Sequence, residues 1–197
     1  MYKVWIGTLA AALFVSTALA ADTVPKDWIL SGDSASDYVA NVDHATVHGG
    51  KASAHYKSRD DHPKEFGTLM QVCDATAFRG KRVVFSAFVK TTKVAGWTGL
   101  WLRVDGNKDE VTAFDNMEDR PIKANSDWKQ YSVVLDVSKD AKDLAYGILV
   151  AGAGETWIDD VKLEVAPKGM AVTGKPVEDE RPHHTPLPQP SNLDFEH

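Results

Sequence analysis

The sequence predicts an all-β chain folded as an antiparallel sandwich or barrel. Three observations carry that expectation. Short runs rich in β-branched and aromatic residues recur along the chain, each bounded by Gly, Asn, Asp or Ser. No stretch of helix length shows apolar residues at the 3.6-residue period. The dozen-residue crossovers that a parallel sheet needs are not found.

The elements follow in order. Trp28-Ile29-Leu30 ends an irregular entry, and Ser31-Gly32-Asp33-Ser34 is turn chemistry. Residues 38–40 and 45–47 read as short strands. His48-Gly49-Gly50-Lys51 turns the chain into an alternating strand over 52–56. A charged loop with Pro63 leads to a strand over 66–72, which sets Phe66, Thr68 and Met70 against Gly67, Leu69 and Gln71. Residues 75–79 are expected as one short helical turn. Residues 83–90 are β-branched or aromatic on both faces, the mark of a central strand.

The stretch 96–122 reads as a hairpin with two unlike faces. Leu100, Leu102 and Val104 alternate with Trp97, Gly99, Trp101, Arg103 and Asp105. The turn falls at Asp105-Gly106-Asn107-Lys108, where Gly and Asn accept positive φ. The partner strand covers 111–114. Residues 128–137 alternate next, with Tyr131, Val133, Leu135 and Val137 on one side. Residues 144–151 are apolar on both faces, and 156–165 form the last strand of the body.

The ends differ from the body. Lys3, an apolar run over 5–19 and Ala18-Leu19-Ala20 form a secretory signal peptide over 1–20. That run is short for a bilayer core of about 30 Å crossed at about 1.5 Å per residue. The expected location is therefore exported, periplasmic or secreted, with no transmembrane segment after signal cleavage. The sandwich domain is expected over 21–166. Most of the nine prolines fall in residues 167–197, and proline cannot sit inside a ladder. This part is expected to be an extended, mobile, Pro-rich tail. Within it, 192–196 is expected to add an edge strand.

Charge and cysteine narrow the function. The formal net charge is −6, with 28 acidic residues against 22 basic ones. No Lys/Arg cluster offers a footprint for nucleic acid. A small neutral ligand or a protein partner suits the chain better. Cys73 stands alone, so no intramolecular disulfide forms, and it reads as a small buried hydrophobe. His44 and His48 lie on strand and turn rather than on a helix, and His183 and His184 fall in the tail. No nucleophile elbow, H-E-x-x-H or phosphate loop is present, so no enzyme is expected.

Two passages carry a resemblance. GETWIDDVKLEV over 154–165 resembles the last strand of galactose-binding-like jelly rolls, including many carbohydrate-binding modules. NLDFE over 192–196 resembles the first strand of those modules. Between them, FGTLMQ, RGKRVVFSAFVKT, GWTGLWLRVDG, FDNMEDRPI and DWKQYSVVLDV are similar to exported or regulator-fused jelly-roll domains. The resemblance covers about 28–165. It implies an antiparallel jelly-roll β-sandwich followed by the Pro-rich tail, and a non-catalytic binding role; the fold itself hosts many functions. One departure is that NLDFE closes this chain instead of opening it. Either the tail runs back beside the N-terminal segment, or the motif is the remnant of a second module.

The candidate ligand site combines flat aromatics with polar groups. Trp97, Trp101, Arg103 and Asp105 share a strand face, and Asp115, Asn116, Glu118 and Arg120 follow the partner strand. Together they suit a shallow cleft for a carbohydrate or cell-envelope glycan. The competing readings are Trp residues packed under a loop with Arg103 paired to Asp105 or Asp115, and a dry interface for a protein partner. The resemblance also implies a structural calcium, held by Asp160 and Glu196 with carbonyls near Gly49 or Lys51.

Overall fold

Ten β-strands and one 3-10 turn at Ala35–Asp37 form the computed structural model, which describes residues 23–108, 110–180 and 184–197. The expected signal peptide and His183 lie outside the described residues. The strands are β1 (Ile29–Ser31), β2 (Tyr38–Asp43), β3 (Ser53–Ser58), β4 (Gly67–Asp74), β5 (Arg82–Asp105), β6 (Glu110–Asp115), β7 (Ile122–Asp136), β8 (Asp143–Ala151), β9 (Glu155–Val165) and β10 (Lys175–Glu180). No helix of the described residues is long and apolar enough to cross a membrane.

The molecule is a jelly-roll β-sandwich, and β5 belongs to both of its sheets. Residues 82–92 of β5 lie between β7 and β9, and β3 and β2 extend that back sheet. Residues 97–105 pair with β8 in the front sheet and residues 102–105 also with β6, with β4 and β1 beyond β8 and β10 beyond β6. All strand pairings are antiparallel. The bend between the halves follows from broken register against β7 and a positive φ of 53° at Lys93, as expected where bulges kink a strand.

Alternation decides which side chains fill the space between the sheets. Leu100, Leu102 and Val104 of β5 meet Leu69 of β4 and Leu144, Tyr146 and Ile148 of β8, all fully buried. Tyr56, Phe85, Val89, Val133, Leu135 and Ile158 face them from the back sheet. Burying such side chains is worth about 1.5–3 kcal/mol each against exposure, so this core holds the fold without a disulfide.

Three local expectations differ from the structure. Residues 45–47 are not a strand: Asp43 Oδ1 accepts the Ala45 and Thr46 N–H groups at 2.7 and 3.2 Å, and this Asx turn takes the chain out of extension. The tail is not simply extended, because Lys175–Glu180 pairs with β6. Pro176 is tolerated there since the strand lies at the sheet edge. Residues 192–196 dock without forming a strand. Asn192 and Phe195 have φ of 47° and 58°, which curls the segment inward.

The docking itself is extensive. Phe195 is 1% exposed and lies 5.1 Å from the Trp28 ring. Trp28 Nε1 donates to the Asn192 carbonyl at 3.0 Å, and Val161 N–H donates to the Leu193 carbonyl at 3.1 Å. Earlier in the tail, Thr173 exchanges backbone and hydroxyl bonds with Val134 of β7. The tail thus passes from the back sheet to the front sheet and ends in the core.

Candidate functional site

The outer face of the front sheet carries a cleft of about 860 Å³. Its floor comes from Thr68 and Met70 of β4, Leu149 and Ala151 of β8, Trp97, Trp101 and Arg103 of β5, and Phe114 of β6. These residues share a face because register places Trp101 opposite Gly147, Gly147 opposite Met70, and Arg103 opposite Phe114. The walls are residues 31–33, residues 63–66, Asn116, Gly152 and His184. The volume is that of a pocket for a small molecule or a few sugar rings.

Trp101 is fixed in the floor rather than presented freely. Its Nε1 donates to Thr68 Oγ1 at 2.8 Å, and that hydroxyl donates to the Ile148 carbonyl at 2.9 Å. The residue is 6% exposed and packs in a second apolar cluster with Met70, Val72, Ala145 and Leu149. Trp97, Phe66 and Phe114 are only partly buried against that cluster, which leaves aromatic surface open to a ligand.

Arg103 is held by Asp105. Its Nε and Nη2 donate to the two carboxylate oxygens at 2.7 and 3.0 Å. The Asp105 side chain has no exposure and that of Arg103 has 11%. The fork keeps the guanidinium in one plane and neutralises it. Nη1 retains its N–H donors among the described residues.

The structure divides the expected ligand residues into two groups. Trp97, Trp101, Arg103 and Asn116 line the cleft. Asp105 does not reach it and serves as the buried partner of Arg103. Asp115 lies across from Leu102, on the core side, and points away from the cleft. Arg120 grips it at 2.6 and 3.1 Å, and Met117 N–H adds a bond at 2.9 Å. Burial raises the cost of the Asp115 charge, yet these partners hold its carboxyl below the usual range. Arg120 is spent on Asp115 and Asp119. Glu118 is exposed at the outside of the turn.

Asn116 reaches the cleft because Gly99 lets the turn cross the sheet. A Cβ on Gly99 would stand 2.8 Å from the Asn116 carbonyl oxygen. Phe66, Thr68 and Met70 belong to the site too, and their alternation opposite Leu69 was the signal that could have included them. The walls at 31–33, 63–65 and 184 had no such signal, since turn residues do not announce which face they cover.

The candidate calcium residues Asp160 and Glu196 lie against the turn at 48–51. Asp160 Oδ2 lies 2.6 Å from His48 Nδ1, and Glu196 Oε1 accepts the Lys51 N–H. The Lys51 carbonyl is engaged by His44 Nδ1 at 2.9 Å. Calcium needs converging oxygens, and one oxygen of each carboxylate is engaged by a nitrogen. No group of three or more His, Cys, Asp or Glu side chains able to hold a metal occurs among the described residues. Cys73 is buried beside β4, and burial pushes its thiol up to about 12, which makes it inert as a nucleophile.

Fold and cleft together define a jelly-roll sandwich with a groove on one sheet face. Among solved structures, the xylanase 10B CBM22-1–GH10 modules of Clostridium thermocellum, complexed with xylohexaose, match with a TM-score of 0.52 at 16% identity, over 75% of this chain and 28% of that one. The CBM22-1 xylan-binding domain of Paenibacillus barcinonensis Xyn10C matches with 0.50 at 14% identity, over 70% and 85%. A Stig cyclase of Fischerella sp. TAU, in complex with an indole compound, matches with 0.51 at 14% identity, over 74% and 88%. These likenesses establish the fold alone. The chain is also 37% identical over 172 residues to the uncharacterized HTH-type transcriptional regulator YbfP of Bacillus subtilis strain 168. That match covers 87% of this chain and 57% of the regulator, so the chain spans little more than half of that relative's length. No protein-family model matches the chain.

Proposed function

We propose that this chain is a non-catalytic binding module whose front-face cleft takes a neutral oligosaccharide. The observation that carries the reading is one groove combining partly exposed aromatic rings with fixed polar donors. Trp97 and Phe114 offer flat apolar faces, and the C–H face of a pyranose packs on such rings. Arg103 Nη1 and the Asn116 amide offer hydrogen bonds to hydroxyls at fixed positions. Arg103 carries no net charge to the ligand, because Asp105 already balances it, so a neutral sugar is favoured over an acidic one. The xylan-binding and xylohexaose-bound neighbours share this fold, which supports the reading.

The test is a titration of intrinsic tryptophan fluorescence with β-1,4-linked xylo-, gluco- and galacto-oligosaccharides and soluble cell-wall fragments. The expected result is a saturable shift that Trp97→Ala reduces at least about tenfold in affinity while the melting temperature stays near that of wild type. Trp101 is less suited to this role, because its removal also opens the floor. No shift with any sugar, together with retention of a protein partner by a Trp97-dependent contact, would replace the sugar reading with a protein interface.

A further inference from the structure

We propose that the cleft takes an acetylated sugar, with the acetyl carbonyl held by Arg103 and Asn116 and the acetyl methyl resting on Phe114. This rests on the reading of the cleft as an oligosaccharide site and names the decoration its ligand carries. Phe114 lies directly opposite Arg103 in the β5–β6 pair, which sets their Cβ atoms about 5 Å apart. Asn116 stands two positions beyond Phe114 and lines the same cleft. One partly buried ring is thus bracketed by two polar side chains. The ring also packs beside Trp101, with centroids 6.4 Å apart, on the apolar cluster that contains Met70 and Leu149.

Both flanking groups have the rest of their bonding capacity engaged within the chain. Asp105 takes Nε and Nη2 of Arg103, so the remaining donors sit on Nη1, at the end of the fork away from that carboxylate. Asn116 Oδ1 accepts the Glu118 N–H at 3.1 Å. A backbone N–H can only donate, so the amide oxygen must face the turn, and the amide NH2 is what remains. The turn is braced: Asp115 accepts from Met117 N–H and from Arg120, and Arg120 N–H donates to the Met117 carbonyl at 2.9 Å. Thr68 Oγ1 is engaged between Trp101 and the Ile148 carbonyl. The carboxylates that line the cleft belong to Asp33, just after β1, and Glu65, just before β4. β1 is four strand spacings from β6, about 19 Å along the sheet. The side chains beside Phe114 therefore offer donors next to an apolar ring. A sugar hydroxyl must also give its own proton to an acceptor. An acetyl carbonyl only accepts, and its methyl needs the apolar contact that the ring supplies.

Ester-linked and amide-linked acetyl groups present the same carbonyl and methyl, so the experiment carries both. The full chain is titrated calorimetrically with O-acetylated xylo-oligosaccharides beside their deacetylated forms. It is titrated likewise with N-acetylglucosamine oligomers beside β-1,4-gluco-oligosaccharides of the same length, and with xylo-oligosaccharides bearing a uronic acid. In at least one pair the acetylated sugar is expected to bind about tenfold tighter, the effect of one or two added hydrogen bonds and a buried methyl. The pair that shows it identifies the linkage. Asn116→Asp keeps an oxygen for the Glu118 N–H but puts an acceptor where the NH2 stood. It is expected to lower that preference at least about threefold with an unchanged melting temperature. Equal affinities within both pairs, tighter binding of the uronic acid than of every acetylated sugar, or a preference that Asn116→Asp leaves intact overturns the acetyl assignment and leaves the cleft reading standing. If Asn116→Asp does not fold, the matched pairs on the wild-type chain decide alone. Failure of the wild-type chain to bind any sugar in the panel overturns both.

Discussion

Asp105 has no side-chain exposure, and Arg103 donates to both of its oxygens. Alternation along 97–105 placed the two residues on one face, but it could not show that they would be spent on each other. The same limit applies at Asp115 and Asn116. They are neighbours in sequence, yet one turns to the core side to meet Arg120 and the other to the cleft. Register, which is a property of two strands together, makes that choice. Removing the buried Asp105 carboxylate leaves the largely covered Arg103 guanidinium without its counter-charge. Asp105→Ala should therefore cost about 3–5 kcal/mol, or about 10 °C in melting temperature for a chain of this size. Glu118→Ala, at an exposed position of the neighbouring turn, should stay within about 0.5 kcal/mol of wild type. Thermal denaturation of the two variants checks both, and equal melting temperatures would sink the argument.

At the scale of elements, the tail is the part whose role was hardest to read. NLDFE stood out in the sequence, and its Phe195 does reach the core. Its conformation could not be read, because two non-glycine residues adopt positive φ there, a state that propensity disfavours. β10 was missed since proline and acidic residues argue for a linker, and only the free edge of β6 makes a strand of them. Phe195→Ala should lower stability by about 3–5 kcal/mol, as loss of a buried phenylalanine does. The expected fall in melting temperature is about 10 °C. A variant that melts like wild type would mean that the docked tail adds nothing to the fold.

For the whole molecule, buried titratable groups tie stability to pH. Burial works against the Asp43 and Asp115 charges. Trp157 and backbone N–H groups for Asp43, and Arg120, Thr173 and Met117 for Asp115, more than offset it, so both carboxyls lie below their ordinary range. Each contributes stability that is present above the unfolded pKa of about 3.9 and is lost as pH falls through the lower folded value. His55 is stacked at 4.4 Å on Trp157, and burial lowers its pKa despite Glu155. Its contribution is present above about pH 6.5 and is lost as pH falls through its own depressed value. Asp159, raised by burial, opposes this only in mild acid. The urea midpoint should therefore fall between pH 7 and pH 5 and fall again below pH 4; a flat midpoint from pH 7 to pH 3 would contradict it. Fold class was legible because turn residues punctuate the chain and both faces of 83–90 and 144–151 are apolar. The cleft was legible only in its floor, since strands have a period and walls made of loops and tail do not.

The passage of β5 through both sheets has a mechanical consequence. Trp101 in the floor and Phe85 in the core lie on one continuous strand, flanked by β8, β6, β9 and β7. The floor is an anvil: it cannot shift unless both sheets move. The tail beside it is held apart from that strand, at Leu187, at Ser191 and at the buried Phe195.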